Sequence, residues 1–226
     1  IGGQGLTGPG TGVSQNDVVA ALAMIGTQVY AGGSFIAAGS VQASNVARWD
    51  GAGWSPLGSG LNGAVNALAA CSAVALAGSD FNPLMGTLFV GGKFTTAGGV
   101  TASNIAAWDG ANWSALGSGF NGAVNALALD AESSSLHPLY AGGAFTVAGS
   151  VSASNVAQWD GIRWSPLGTG VNGAVHALAV RGTNLFAGGR FSVAGGLLAS
   201  NVARWNGSSW SALGSGVGGV VYASTR

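Results

Sequence analysis

The chain contains four copies of one sequence unit, and the intervals between the repeated positions are constant. Each copy has a Gly-Gly-x-Phe element, and the Leu of a Pro/Ala-Leu-Gly element follows its Phe at the same interval, as from Phe35 to Leu57. The Leu of an Asn/His-Ala-Leu-Ala element follows at a second constant interval, as at Leu68. Only the segment from that Leu to the next Phe changes in length: it is short from Leu22 to Phe35 and twice as long from Leu68 to Phe94. Fixed spacing with variation confined to one loop is typical of a stacked repeat fold.

Each copy predicts four β-strands, A to D. Short apolar runs such as Ala-Val-Asn-Ala-Leu-Ala and Leu-Phe-Val, bounded by Gly and Asn, predict strands A and B. Ser-Asn-Val-Ala-Arg-Trp alternates and predicts strand C, and Trp-Ser-Pro-Leu-Gly predicts strand D. Strand D is expected at an outer edge, because Pro56 and Pro166 lie in it and cannot donate a backbone hydrogen bond.

Two turns complete each unit. Between strands C and D stand Asp50-Gly51, Asp109-Gly110, Asp160-Gly161 and Asn206-Gly207, which suit a tight hairpin with positive φ. Asn-Gly pairs such as Asn62-Gly63 lie between strand D and the next strand A, where we expect the chain to cross from the outer edge of one sheet to the centre of the next. The Gly-Gly pair at the end of strand B is expected to let neighbouring backbones approach closely.

Four strands per repeat of about 46 residues indicate propeller blades. The predicted fold is therefore all-β, a β-propeller of four four-stranded blades in a single repeat domain, 1–226, with blades at about 18–59, 64–118, 123–169 and 174–215. Each copy carries two of the eight Trp residues, which we expect to fill the space between adjacent sheets. A buried Trp removes about 200 Å² from water, which corresponds to at most about 5 kcal/mol.

The order of these elements resembles the kelch repeat of β-propellers. The whole unit, GGxF…SNxAxWDGxxWSxLGSG, is similar to repeats of large secreted, uncharacterised bacterial proteins and of fungal cortical polarity markers. One departure is a second Gly-rich stretch after the Phe, such as Ala-Ala-Gly-Ser, which kelch repeats lack. The resemblance covers nearly all of the chain and implies a propeller with a binding or scaffolding role, without a single ligand.

The two ends of the chain leave ring closure open. Residues 216–226 resemble the start of a further strand A, and residues 1–12 resemble the end of a strand D with its turn. An open sheet leaves backbone groups unpaired, so a propeller usually completes one sheet with both termini. Either the chain is cut from a longer array, or its free strands pair with another copy, or it forms a compact four-bladed monomer with frayed ends.

Composition excludes several partner classes. Charged residues make up 6% of the chain and the net charge is zero, so no basic patch is expected to bind nucleic acid. No uninterrupted apolar run approaches the roughly 18 residues of a membrane helix, so no membrane span is expected. The abundance of Ser, Thr, Asn, Gly and Ala indicates a secreted or extracellular protein at the cell surface.

The sequence predicts no enzyme, no catalytic residues, no cofactor and no metal site. Glu132 is the only Glu, and the Asp of the C–D turn recurs once per repeat until Asn206 replaces it, which fits a structural role. Glycosidase chemistry needs two carboxylates on either side of one bond. Cys71 and the two histidines, His137 and His176, lack partners at metal-binding or catalytic spacing. Cys71 is expected to be a buried or half-buried, inert thiol.

Ligand specificity is expected where the repeats differ, because the residues that every blade needs are the same in each copy. The candidate binding residues are Lys93, Arg190, Arg48, Arg204, Asn112, Arg163 and His176. The A–B insertions, 70–87 and 130–138, are expected on one face, where they carry any partner-specific contact.

The sequence is compatible with three function classes. The leading hypothesis is a non-catalytic extracellular structural or interaction module: a scaffold, an adhesin or an assembly subunit. The alternative is a carbohydrate-binding propeller of the lectin type, and a remote alternative is a hydrolase domain. A protein, a glycan or a second copy of the chain is the expected class of partner.

Overall fold

Antiparallel β-strands joined by short turns make up the described part of the chain. A computed structural model describes residues 17–71, 86–129 and 138–222. Within these ranges, no helix has the length and apolar character needed to span a membrane. The chain divides into two compact units, Ile1–Ala115 and Leu116–Arg226.

The first unit contains two four-stranded sheets and two small hairpins. Sheet 1 has the order β1 (Val18–Ile25), β2 (Gln28–Ser34), β5 (Val46–Trp49) and β6 (Trp54–Pro56). Sheet 2 has the order β7 (Ala64–Ala70), β8 (Leu88–Lys93), β11 (Ile105–Trp108) and β12 (Trp113–Ala115). The hairpins pair β3 (Ala37–Ala38) with β4 (Val41–Gln42) and β9 (Thr96–Ala97) with β10 (Val100–Thr101).

The second unit repeats this arrangement. Sheet 3 has the order β13 (Ala123–Leu129), β14 (Leu139–Ala144), β17 (Val156–Trp159) and β18 (Trp164–Pro166). Sheet 4 has the order β19 (Ala174–Arg181), β20 (Asn184–Arg190), β23 (Val202–Trp205) and β24 (Trp210–Ala212). The hairpins pair β15 (Val147–Ala148) with β16 (Val151–Ser152) and β21 (Val193–Ala194) with β22 (Leu197–Leu198).

The all-β class and the A–B–C–D strand order are confirmed. Each sheet places its four main strands in sequence order, and all neighbours are antiparallel. The four sheets cover residues 18–56, 64–115, 123–166 and 174–212. Pro56 and Pro166 lie in the outer strands β6 and β18, where a missing N–H leaves no sheet bond unmade.

The small hairpins explain the Gly-rich stretch by which the repeats depart from the kelch pattern. Each hairpin pairs two residues with two across a turn such as Gly39-Ser40 or Gly98-Gly99. Residues that enter the next sheet bridge to a hairpin, as Phe120 does to Ala148 and Val171 to Ala194. Two-residue strands have no periodicity, so no pattern in the sequence predicted them.

The first strand of every sheet carries a β-bulge at the same place. The register shifts between Val65 and Ala67 in β7, and between Val175 and Ala177 in β19. A bulge leaves one residue unpaired and turns the strand locally. As a result, Val65 and Leu68 both point towards Gly32 of the preceding sheet.

Glycine in strand B provides the close approach that the sequence predicts. A Cβ on Gly32 would lie 2.5 Å from Cγ1 of Val65, and a Cβ on Gly142 would lie 2.5 Å from Cγ1 of Val175. The second glycine of the pair, such as Gly92, faces a backbone carbonyl of the neighbouring strand. The first glycine of the pair therefore contacts a valine of the next sheet, and the second contacts strand A of the same sheet.

The tryptophans also join successive sheets. The Trp pairs of each repeat lie opposite one another across strands C and D, with ring centroids 5.2–5.6 Å apart. The indole N–H of Trp113 donates to the carbonyl of Leu57 at 2.9 Å, and that of Trp164 donates to Leu116 at 3.0 Å. Trp210 donates likewise to the carbonyl of Leu167 at 2.8 Å. Each bond connects the outer strand of one sheet to the segment that precedes that sheet.

We predict that Gly92→Ala destabilises the chain, because its Cβ would meet the Ala64 carbonyl and neither backbone can move without breaking the sheet. The expected loss in the free energy of unfolding is about 1–3 kcal/mol. Gly53→Ala is the matched control in the same unit, since a Cβ there meets no atom within 4 Å. Urea denaturation measures both, and equal effects would contradict the close-approach explanation.

Candidate functional site

The seven candidate binding residues lie on seven different strands or turns. Lys93 and Arg190 end β8 and β20, Arg48 and Arg204 lie in β5 and β23, Asn112 and Arg163 lie in C–D turns, and His176 lies at the bulge of β19. Three belong to the first unit and four to the second. Among the described residues, no side chain of the seven hydrogen-bonds to another, so within each unit they form no shared polar cluster.

Three of the candidate arginines differ in their polar partners. Nε of Arg48 donates to Oγ of Ser55 at 3.3 Å across the C–D pair. Nε of Arg204 is buried and has no hydrogen-bond partner among the described residues. Arg163 lies 3.6 Å from the carboxylate of Asp160, and both are exposed, so this ion pair adds little stability.

Arg190 contributes to an open cleft of about 390 Å³ in the second unit. The cleft is lined by Asn172, Arg190, Phe191, Ser192, Ser200 and Asn201. Both asparagine side chains are engaged in its wall: Oδ1 of Asn172 accepts from the N–H of Ser192 at 2.9 Å, and Oδ1 of Asn201 accepts from that of Phe191 at 3.3 Å. The cleft thus offers a guanidinium and hydroxyls, while its amides hold the fold.

A second open cleft of about 290 Å³ lies in the first unit. It is lined by Gln42, Ala43, Ser44, Pro56, Gly58 and Ser59. None of the seven candidate residues lies in this lining. Its polar side chains are the hydroxyls and the Gln42 amide, so its lining holds no charged group to orient a ligand.

An asparagine that the sequence analysis did not single out has a central structural role. Asn45, Asn104, Asn155 and Asn201 all adopt positive φ, from 62° to 66°, a conformation that Asn tolerates better than most residues. Oδ1 of Asn45 accepts from the N–H of Phe35 at 3.2 Å, and its Nδ2 donates to the carbonyl of Leu61 at 2.9 Å. This residue therefore fixes strand B of its own sheet to the segment entering the next. A Ser-Asn pair at one place in every repeat was the available signal.

The asparagine that precedes each new sheet acts in a similar way. Oδ1 of Asn62 accepts from the N–H groups of Thr95 and Thr96, both at 2.9 Å, and its Nδ2 donates to Oγ1 of Thr95 at 2.8 Å. Asn121 makes the same three bonds with Thr146 and Val147. These residues do more than turn the chain, because each anchors the loop that follows strand B of the next sheet.

The aspartate of the C–D turn caps backbone N–H groups. Oδ1 of Asp50 accepts from Ala52 and Gly53, both at 2.9 Å. The hydrogen bond from the Gly53 N–H has the largest effect on the pKa of Asp50 and that from Ala52 the next largest, and both hold this pKa below its usual value. Asn206 accepts from Ser208 and Ser209 in the same way at 2.9 Å, so a charge is not needed at this position. The following glycines have φ near 100°, as the hairpin prediction requires, but the loop has four residues.

Cys71 is buried, as the sequence analysis expects, and burial raises the pKa of its thiol. Its backbone closes the base of the first insertion: the N–H donates to Thr87 at 3.0 Å and the carbonyl accepts from Gly86 at 2.8 Å. Residues 72–85 and 130–137, which contain Glu132, His137 and most of both insertions, lie outside the described residues.

His176 contacts the C-terminal segment. Its ring lies 5.2 Å from that of Tyr222, measured between centroids. Residues 216–222, predicted as the start of a further strand, do not form a strand. The segment nevertheless makes contacts typical of an entering strand: Nδ2 of Asn201 donates to Val217 at 2.9 Å, and the N–H of Val221 donates to Gly189 at 3.2 Å.

Across ranges 17–71, 86–129 and 138–222, no three side chains of the His, Cys, Asp or Glu type lie close enough together to hold a metal ion. The recurring carboxylates are separated by whole repeats. Each is bonded to the backbone of its own turn. Each recurring carboxylate therefore stabilises its own turn.

No family model and no curated protein matches this chain. A search of solved structures finds similarity to the computationally designed Ika8 protein, with 18% sequence identity and a TM-score of 0.46. The match covers 91% of this chain and 62% of that protein, so this chain spans less than two thirds of its length. None of these findings mentions a kelch repeat, and that resemblance stays a prediction.

We predict that Asn45→Ala lowers the free energy of unfolding by about 2–4 kcal/mol, because it removes two hydrogen bonds and places Ala at φ 66°. Asn45→Gly removes the same bonds but accepts the backbone conformation, so it should cost about 1 kcal/mol less. Urea denaturation compares the two variants. Wild-type stability in both would show that this link does not hold the sheets.

Acid should destabilise the chain through the turn aspartates. The pKa values of Asp50, Asp109 and Asp160 are lowered in the fold, so the unfolded chain takes up protons first as the pH falls. Their contribution is full above about pH 4 and is lost as the pH drops through the lowered values. The combined variant Asp50→Asn, Asp109→Asn and Asp160→Asn should keep its stability at neutral pH and lose less of it in acid. Identical pH profiles would contradict this account.

Proposed function

We propose that this chain is a non-catalytic, extracellular structural or interaction module, built as a β-propeller of four kelch-like blades. The observation that carries the proposal is what the recurring polar side chains bond to. Asp50, Asn45 and Asn62, with their equivalents, bond to the backbone of turns or of the adjacent sheet. Two of the equivalents, Asn172 and Asn201, line the cleft at Arg190, but their side chains are bonded within its wall. Side chains that recur as ligands or catalysts would instead keep polar atoms free towards a common cavity.

The propeller architecture is supported by the way successive sheets meet. In each unit, strand A of the second sheet places a valine against strand B of the first, at Gly32 and Gly142. In the first unit, the outer strand D of the second sheet also returns to the first through the Trp113 bond to Leu57, and Trp210 bonds to Leu167 in the same way in the second unit. Contact at both the inner and the outer strands is how propeller blades pack face to face.

The chemistry of the described residues favours a binding role over catalysis. A nucleophilic cysteine needs a lowered pKa, and that of Cys71 is raised. A general base needs a pKa near neutrality, and those of the turn aspartates are lowered from an already acidic value. The small number of charges is also consistent with contacts made through small polar and apolar surfaces.

A lectin-type function is the second candidate. It is supported by the cleft at Arg190, whose guanidinium and serine hydroxyls are groups that bind sugar hydroxyls. Against it, a sugar usually stacks on an exposed aromatic face, and most of the tryptophans are buried between strands or sheets. Trp49 and Trp54 are half-buried and lie against each other.

A glycan array and a panel of glycosidase, esterase and peptidase substrates test the proposal together. We expect no turnover and no glycan binding that depends on the cleft. Arg190→Ala is the informative variant, with Arg163→Ala as an exposed control outside the cleft lining. Multivalent binding lost only in Arg190→Ala would favour the lectin. Turnover abolished by a substitution that leaves the fold intact would overturn the proposal.

A further inference from the structure

The first strand of sheet 1 exposes an apolar face that its equivalents bury. Val19 is 43% exposed and Leu22 is 65% exposed in β1. Sheets 2 and 4 each follow another sheet of the same unit. At the position of Val19 they carry Val65 and Val175, which are 1% and 0% exposed. Met24, further along β1, is also exposed. Contiguous apolar exposure of this kind marks an interaction surface.

The structure shows twice what covers this face. Cγ1 of Val65 fills the space beside Gly32, and Cδ1 of Leu68 would lie 3.3 Å from a Cβ placed there. Val175 and Leu178 fill the space beside Gly142 with nearly the same distances, 2.5 Å and 3.2 Å. Val19 and Leu22 are therefore the valine and leucine of a contact whose glycine lies on another sheet.

The same chain carries a glycine of that kind at its last sheet. A Cβ on Gly188 would lie 2.6 Å from Cγ1 of Val221, so Val221 occupies the place that Val65 and Val175 occupy elsewhere. No leucine accompanies it among the three nearest atoms. The segment is not a strand, and Tyr222, which follows, is 73% exposed. The C-terminal segment thus fills the Gly188 position with fewer apolar contacts than a complete strand A.

We propose that the exposed face of β1 docks at Gly188 of a second copy of this chain, with Val19 and Leu22 replacing Val221. The inference deepens the proposed function and rests on it, since it names the partner of the module as the chain itself. The two halves of the contact lie on different sheets, so the association is head-to-tail and builds either a ring or a filament. A net charge of zero leaves no long-range repulsion to oppose it.

Sedimentation velocity and light scattering on the full chain, over a range of concentrations, test the association. We expect concentration-dependent oligomers that Leu22→Glu weakens at least about 30-fold, because it places a charge in an apolar contact. Leu198→Glu is the matched control, since Leu198 is 84% exposed in the hairpin strand β22. A wild-type monomer at all concentrations, or equal effects of the two substitutions, would overturn the proposal.

Complementation tests the head-to-tail geometry. Gly188→Leu should block the glycine position, and the two atoms nearest to a Cβ there belong to Val221, so the sheet itself can keep its structure. Each variant alone should be monomeric, because it lacks one half of the contact. Leu22→Glu retains Gly188 and Gly188→Leu retains the β1 face, so an equimolar mixture should form a 1:1 dimer. Circular dichroism of each variant confirms the fold. A Gly188→Leu chain that still self-associates, or a mixture that stays monomeric, would contradict the proposal.

Two truncations identify competing occupants. Removal of residues 217–226 should tighten association at least about tenfold, because Val221 no longer competes for Gly188. An unchanged or weaker association would contradict the replacement of Val221 by the β1 face. Removal of residues 1–16 should leave the wild-type association within about twofold. If association appears only after that removal, those residues cover β1 and the proposal is wrong. Each of these failures leaves the non-catalytic function intact, whereas turnover or glycan binding would remove that function without affecting the oligomer.

Discussion

The contact on which the other features depend is a valine of one sheet that fills the space of the absent Cβ on a glycine of the preceding sheet. The glycine and the valine that meet are separated by the same sequence interval in Gly32–Val65 and in Gly142–Val175. The insertions between strands A and B lie outside this interval, so their length can change without shifting the contact. The constant spacing of the repeats therefore follows from a steric requirement, and the same requirement leaves Val19 exposed at one sheet while Gly188 holds Val221 at another.

Polar side chains add hydrogen bonds between the same two sheets that the glycine and valine bring into contact. Asn45 links strand B to the segment that enters the next sheet, and Trp113 returns from the outer strand to Leu57. A buried amide or indole N–H costs free energy unless it is bonded, so these links also fix the relative position of the two sheets. The residues that recur most regularly are consequently those least available to a ligand.

Much of the fold could be predicted because strand length, turn residues and proline position are local properties. The four-strand order and the edge position of Pro56 follow from such signals, and the glycine pair indicated close approach. The β-bulge at His176 and the two-residue hairpins left no periodicity to detect. The role of Asn155 depends on a partner in the segment that enters the next sheet, which spacing alone does not reveal. The candidate binding residues, such as Asn112 and Lys93, were chosen because they differ between repeats, and they share no polar cluster. A position that differs between repeats is free to vary, but this does not place it near the other variable positions.

A double-mutant cycle at Gly142 and Val175 tests the central contact most directly. Gly142→Ala alone should destabilise through the clash with Cγ1 of Val175, and Val175→Ala alone should destabilise through the lost methyl groups. In the double variant the added methyl group occupies part of the vacated space, so the free energies of unfolding should be non-additive by about 1–3 kcal/mol, with the double variant more stable than the sum of the single effects implies. Additive losses within about 0.5 kcal/mol would show that the two residues do not meet, and would contradict the account.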